Sequence, residues 1–359
     1  MNRERLVSVD AFRGATVAAM ILVNNPGDWG HIYWPLEHAK WNGWTPTDLI
    51  FPFFLFLVGA SLAFSSRGTT KAAAVRALKI FGLGFFMAFY PRFNLLTVRI
   101  PGVLARIALC YFVAFLIKKH FGRKAAAAIA AACCLGYWFL MTVVPVPGGL
   151  APNLEPETNL GAWLDRLIFG SHLWVSSKTW DPEGLLSSLP AVGTTLFGYL
   201  AGSLFRAGLS AAEIIRRLVI SGAVFTISGL AWSTVFPINK SLWTSSYVLF
   251  TAGLASLLLA GFYWVADVKG YKSGLKPFVI YGVNAIVVFV ASGLLAKTMG
   301  LIKLPLDGAS VSSQVFLYRT VFLSWLAPIN ASLGYALANV LGWYAALWWL
   351  DKRGIYLTV

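Results

Sequence analysis

His38 and Asp48 stand ten residues apart in a stretch reading Glu37-His38-Ala39-Lys40-Trp41-Asn42-Gly43-Trp44-Thr45-Pro46-Thr47-Asp48, just ahead of an apolar run. A histidine titrates near neutral pH and can act as general base or nucleophile, while a nearby carboxylate can orient the imidazole and stabilise its protonated form. Each residue also has a plainer use. A loop histidine is ordinarily solvated, and an aspartate at a helix start caps it. Asp10 and Arg13, three apart, share a helix face near one end of the first apolar run. Arg13 is costly within a span unless paired or hydrated, so it either closes an internal ion pair or helps receive an anionic group from the cytoplasm.

Further along, Asn239-Lys240-Ser241-Leu242-Trp243-Thr244-Ser245-Ser246-Tyr247 puts Trp243 and Tyr247 one helical turn apart, as interfacial anchors or as a stacking surface for a ligand. Asn284 lies inside an apolar run, where a polar side chain is expected to face a bundle interior or a cavity. His31, His38, Asp28 and Glu37 show no HxxxH or HxxE spacing, so no metal site is expected. Cys110, Cys133 and Cys134 all fall in apolar runs and read as small packing residues.

The elements that must hold these groups follow from composition. Of 359 residues, 58% are hydrophobic and only 12% charged, which excludes a water-soluble globule, a coiled coil and a disordered chain. Apolar runs near 10–26, 48–65, 74–91, 100–118, 124–144, 188–205, 213–235, 243–266, 276–298 and 330–350 are each long enough to cross a bilayer. The expected fold is therefore an all-α polytopic membrane protein, one domain over 1–359, with about ten transmembrane helices. The segment 313–329, with Arg319 in its middle and Pro328 at its end, is expected to be one further interfacial or re-entrant helix.

The net charge of +15 is spread over short basic clusters between apolar runs, which is the positive-inside pattern and not a nucleic-acid face. With the N-terminus cytoplasmic, the inner segments hold Arg3 and Arg5; Arg67, Lys71, Arg76 and Lys79; Lys118, Lys119, Arg123 and Lys124; Arg206, Arg216 and Arg217; Lys269, Lys272 and Lys276; and Lys352 and Arg353. This puts both termini in the cytoplasm, and no cleaved signal peptide is expected. Two long outer segments result. One, 24–47, carries His31 and His38; the other, 145–187, is rich in Pro, Gly, Asn and acidic residues and suits a carbohydrate or amine better than an anion.

Several of these pieces together resemble the membrane-bound heparan-α-glucosaminide N-acetyltransferase family. They are the run from Arg5 to Gly14, the Asn24 segment, His38-Ala39-Lys40-Trp41-Asn42-Gly43 followed by Asp48 and Phe51-Pro52, Asp181-Pro182-Glu183-Gly184-Leu185-Leu186, and the run from Asn239 to Tyr247. The resemblance implies transfer of an acetyl group from cytosolic acetyl-CoA to the amino group of a terminal glucosamine or similar amino sugar across a bacterial inner membrane, without a metal. It implies His38 as the catalytic residue, as base or acetyl carrier, with Asp48 orienting it and Asn24 donating to the developing oxyanion. Ser8, Asp10, Arg13 and Arg106 are the residues expected to meet the nucleotide end of acetyl-CoA. Asp181, Glu183, Trp243, Tyr247 and Asn284 are expected to line the acceptor site. A sugar permease or exporter remains the competing reading, a non-catalytic membrane partner is a third, and a homodimer is left open.

Overall fold

The computed structural model describes residues 6–65 and 68–356, so Arg3, Arg5 and Arg67 of the charge pattern lie outside the described residues. Among the described residues the regular structure is helical apart from one short hairpin and an isolated bridge between Val146 and Leu150. In order, it forms α1 (Val7–Asn24), two 3-10 turns (Trp34–Leu36 and Pro46–Leu49), α2 (Ile50–Phe64), α3 (Thr70–Phe89), α4 (Val103–Thr142), α5 (Leu160–Phe169), α6 (Ser188–Leu204), α7 (Ala211–Trp232) and α8 (Ser245–Tyr263). A π-helical turn (Trp264–Val268) leads to α9 (Lys276–Val283) and α10 (Ala285–Leu301). The hairpin β1 (Lys303–Leu306) and β2 (Ala309–Ser312), α11 (Ser313–Leu317), a second π-helical turn (Tyr318–Phe322) and α12 (Pro328–Lys352) complete the chain.

Local chemistry sets several boundaries. Thr69, Asn159 and Ser210 each accept a backbone N–H three residues on, at Ala72, Ala162 and Glu213, and so begin α3, α5 and α7.

The chain divides into two compact units. Unit one comprises Met1–Ala39, Thr45–Phe51 and Val265–Val359; unit two comprises Lys40–Trp44 and Pro52–Trp264. In unit one α1 packs along α9 and also touches α10 and α12. A Cβ on Gly14 would fall 1.6 Å from the Phe278 carbonyl oxygen, so the two backbones touch at this crossing. In unit two the main pairs are α7 with α8, α4 with α6, and α3 with α4. There α2 meets α6 in the same manner, since a Cβ on Gly59 would fall 1.8 Å from the Thr195 carbonyl oxygen.

By length and composition, six helices of the described residues can cross a membrane, or seven counting the bent pair α9–α10 as one span. The protein is an integral membrane protein, and by this measure fewer spans are marked than the ten expected. The spans expected at 100–118 and 124–144 correspond to the two helical stretches of α4 that meet at Gly122, whose φ of 74° leaves the helical region. α6 has 17 residues, short of the ~20 that cross hydrocarbon untilted. α12 dilutes its apolar face with Asn330, Asn339, Tyr335 and Tyr344. The expected helix at 313–329 resolves into α11, the second π-helical turn and the start of α12.

Candidate active site

Thr45-Pro46-Thr47-Asp48 forms the second 3-10 turn because each position suits a helix start. Thr45 is the N-cap, Pro46 occupies the first helical position, and Asp48 at the third returns its carboxylate to the Thr45 N–H, completing a capping box. Asp48 Oδ2 accepts the Thr45 N–H at 3.0 Å and the Ala39 N–H at 3.0 Å. The Thr45 hydroxyl donates to the Glu37 carbonyl at 2.5 Å, and the Thr47 hydroxyl to the Pro35 carbonyl at 3.0 Å, which fastens the turn to the chain ahead of it.

With Oδ2 so occupied, Asp48 Oδ1 faces His38 Nδ1 at 2.7 Å. The Asp48 side chain is 1% exposed and that of His38 49%. A carboxylate only accepts, so this contact assigns the neutral-ring proton to Nδ1 and the basic lone pair to Nε2. The cap and the orienting carboxylate, alternatives in the sequence, are here one residue using its two oxygens. α1, which ends at the exposed Asn24, packs against the turn that carries Asp48.

A second cluster in unit one lies at the other end of α1. Arg13 Nη1 donates to Asp10 Oδ1 at 2.9 Å and to the Gly282 carbonyl at 3.3 Å. The latter lies beside an 81° bend between α9 and α10, where carbonyls lose their helical partners. The Asp267 carboxylate accepts the N–H groups of Val7 and Ser8 at 3.2 and 3.0 Å. The expected nucleotide subsite at Ser8, Asp10 and Arg13 is thus built around two carboxylates, which a phosphate would have to displace. Asn284 sits at the bend itself, 1% exposed, its side chain donating to the Ile280 carbonyl at 3.4 Å. It stands within the break rather than on an open acceptor surface.

In unit two Asp181 and Glu183, expected to line the acceptor site, are both held by Arg99. Its Nε and Nη2 reach the two Asp181 oxygens at 2.8 and 2.6 Å, and Nη2 also donates to Glu183. The Asp181 side chain is fully buried. Burial works against the Arg99 charge, but Glu183 and Asp181 outweigh it and hold the guanidinium more firmly protonated than usual. Trp243 and Tyr247 are buried in edge-to-face contact, centroids 5.4 Å apart, and the Trp243 indole N–H donates to Thr194 at 3.1 Å. They are core residues here, neither interfacial anchors nor an open stacking surface. Arg106, expected beside a nucleotide, is 2% exposed and bonded to residues 184 and 187 of the long 145–187 segment. Among the described residues no three His, Cys, Asp or Glu side chains gather to hold a metal ion.

Residues 5–222 match the family described as "Heparan-alpha-glucosaminide N-acetyltransferase, catalytic", a stretch that contains His38 and Asp48. The chain belongs to the heparan-alpha-glucosaminide N-acetyltransferase family. It is 30% identical over 351 residues to the Homo sapiens heparan-alpha-glucosaminide N-acetyltransferase, covering 80% of this chain and 52% of that protein. It is 28% identical over 359 residues to the Mus musculus protein of the same name, covering 82% and 54%. The chain therefore spans about half the length of the curated relatives it matches.

Three features of this N-acetyltransferase-family chain escaped the sequence reading. Thr45 was visible as a possible capping-box residue, since Thr-Pro-Thr-Asp is itself the signal. Asn42 was quoted but given no role; its side-chain oxygen accepts from Asn239 at 3.1 Å, and Gly43, at φ 101°, donates its N–H to the Ile238 carbonyl at 2.8 Å. These bonds link two of the recognised runs within unit two. Arg99 was given no role, and no local spacing relates it to Asp181, 82 residues away.

Proposed function

We propose that this protein is a membrane acetyltransferase that moves an acetyl group from cytosolic acetyl-CoA to the amino group of a glucosamine or similar amino sugar at the outer face of a bacterial inner membrane, with both termini cytoplasmic. The observation that carries the reading is the His38–Asp48 pair, a carboxylate that is buried and fixed beside an imidazole that is half exposed, in a chain of this family. His38 Nε2 removes a proton from the sugar amine as its nitrogen bonds to the thioester carbonyl carbon, or first takes the acetyl group itself; both uses draw on the same lone pair. Asp48 keeps the ring in that tautomer and balances the imidazolium that forms. Breakage of the C–S bond releases a thiolate, which recovers the proton from His38. Asn24 donates to the oxyanion. Asp181, Glu183 and Trp243 act in the scaffold of unit two rather than on the sugar.

The charge bias of the connecting segments supports the orientation, and the two long polar segments on one side support an acceptor there. The 81° break between α9 and α10 favours a second reading, a permease, because broken helices line many transport pathways. Detergent-purified protein incubated with acetyl-CoA and glucosamine separates the two. Sugar-dependent release of free thiol is the result expected of the enzyme, and sugar flux into proteoliposomes without thiol release would replace it with the permease.

A further inference from the structure

Arg106 is the fourth residue of α4, and its side chain is 2% exposed. Nη2 donates to the Gly184 carbonyl at 3.0 Å and to the Ser187 hydroxyl, while the guanidinium lies 5.0 Å from the centroid of the Trp243 ring. Nε and Nη1 are buried and have no hydrogen-bond partner. Among the described residues no carboxylate lies within ion-pair distance of this cation. Asp181 and Glu183 are held by Arg99, and Asp165, which feels the Arg106 charge, instead accepts the N–H groups of Leu185 and Asp181. A ring face and two neutral acceptors do not neutralise a guanidinium, and an uncompensated cation is among the costliest groups to bury.

The start of α4 adds to the positive field. It has no side-chain cap bond and no acidic residue in its first turn. Uncapped helix N-termini present N–H groups and partial positive charge. We propose that unit two carries a buried site for one small monovalent anion, of halide or carboxylate class, held by Arg106 Nε and Nη1 at the start of α4. The neighbouring Leu185 is 40% exposed, so the path from solvent is short. The anion stabilises the scaffold by binding the folded form alone. This inference does not depend on acetyl transfer.

The test uses the full chain in detergent, exchanged into gluconate. Equilibrium dialysis with radioactive chloride should give about one ion per chain, displaced by bromide or by acetate, with acetate the better competitor if the site prefers a carboxylate. Chloride should raise the thermal midpoint saturably by about 2–4 °C, where sulfate at equal ionic strength does not. Arg106→Met should abolish both effects. If that variant does not fold, Trp243→Phe takes its place: iodide should quench a saturable part of wild-type tryptophan emission, and that part should vanish in Trp243→Phe. Absence of saturable chloride binding to the wild type, equal binding to folded Arg106→Met, or unchanged iodide quenching in Trp243→Phe would overturn the proposal.

Discussion

Asp48 Oδ1 stands 2.7 Å from His38 Nδ1 while Oδ2 of the same carboxylate is held by the backbone N–H groups of Ala39 and Thr45. The carboxylate therefore cannot swing away from the imidazole without breaking two bonds at 3.0 Å in a buried setting. Orientation of the base is thus built into the turn before any substrate arrives.

Asp48→Asn sets an amide against donors on both sides. Whichever way the amide flips, its NH2 meets either the His38 N–H or the two backbone N–H groups. The wrong tautomer of His38 results, and the rate of thiol release should fall by roughly 10³-fold with the helical circular dichroism unchanged. A loss of less than tenfold would assign Asp48 to capping alone.

Thr45→Ala removes the cap side chain and its bond to Glu37 but leaves the Asp48–His38 contact. It should cost about 1 kcal/mol of stability and lower activity far less than Asp48→Asn, and Thr45→Ser should restore both. Thermal melts alongside the thiol assay check this.

Asp181→Asn leaves the partly exposed Arg99 with Glu183 as its remaining carboxylate and should cost about 1–3 kcal/mol, seen as a lower melting midpoint. Glu183→Gln should cost less and leave KM for the amino sugar unchanged. A rise in that KM would return Glu183 to the acceptor site.

Burial pushes the Asp165 carboxyl from 3.8 up to about 6, against the pull of the Leu185 and Asp181 N–H groups. The folded chain thus binds this proton more tightly than the unfolded chain. The contribution of Asp165 favours folding most below about pH 4 and is lost as pH rises through 6. Between pH 5 and 7.5 the wild-type midpoint should therefore fall relative to that of Asp165→Asn, by at most about 3 kcal/mol in stability. A difference between the two proteins that does not change with pH contradicts this.

What could be read from the sequence was what lies close along the chain. The membrane class, the family, and the His38–Asp48 pair all rest on apolar runs or on residues within about one loop of each other. The long-range partners could not be read this way. Arg99 and Asp181 lie 82 residues apart and only the fold brings them together, and Arg13 gained the Gly282 carbonyl only because α9 and α10 bend beside it. Trp243 and Tyr247 have the composition of an interfacial pair, and only the packing of α8 against its neighbours buries them. Length and composition support fewer spans than the ten expected where a helix is short or polar, at the 17-residue α6 and in the Asn- and Tyr-rich α12.

The central claim is that His38 carries acetyl transfer, and the direct measurement is thiol release from acetyl-CoA by purified His38→Ala in the presence of glucosamine. The account predicts loss of sugar-dependent release to background in a variant whose melting midpoint and helical content match the wild type. Full activity in that folded variant would contradict it.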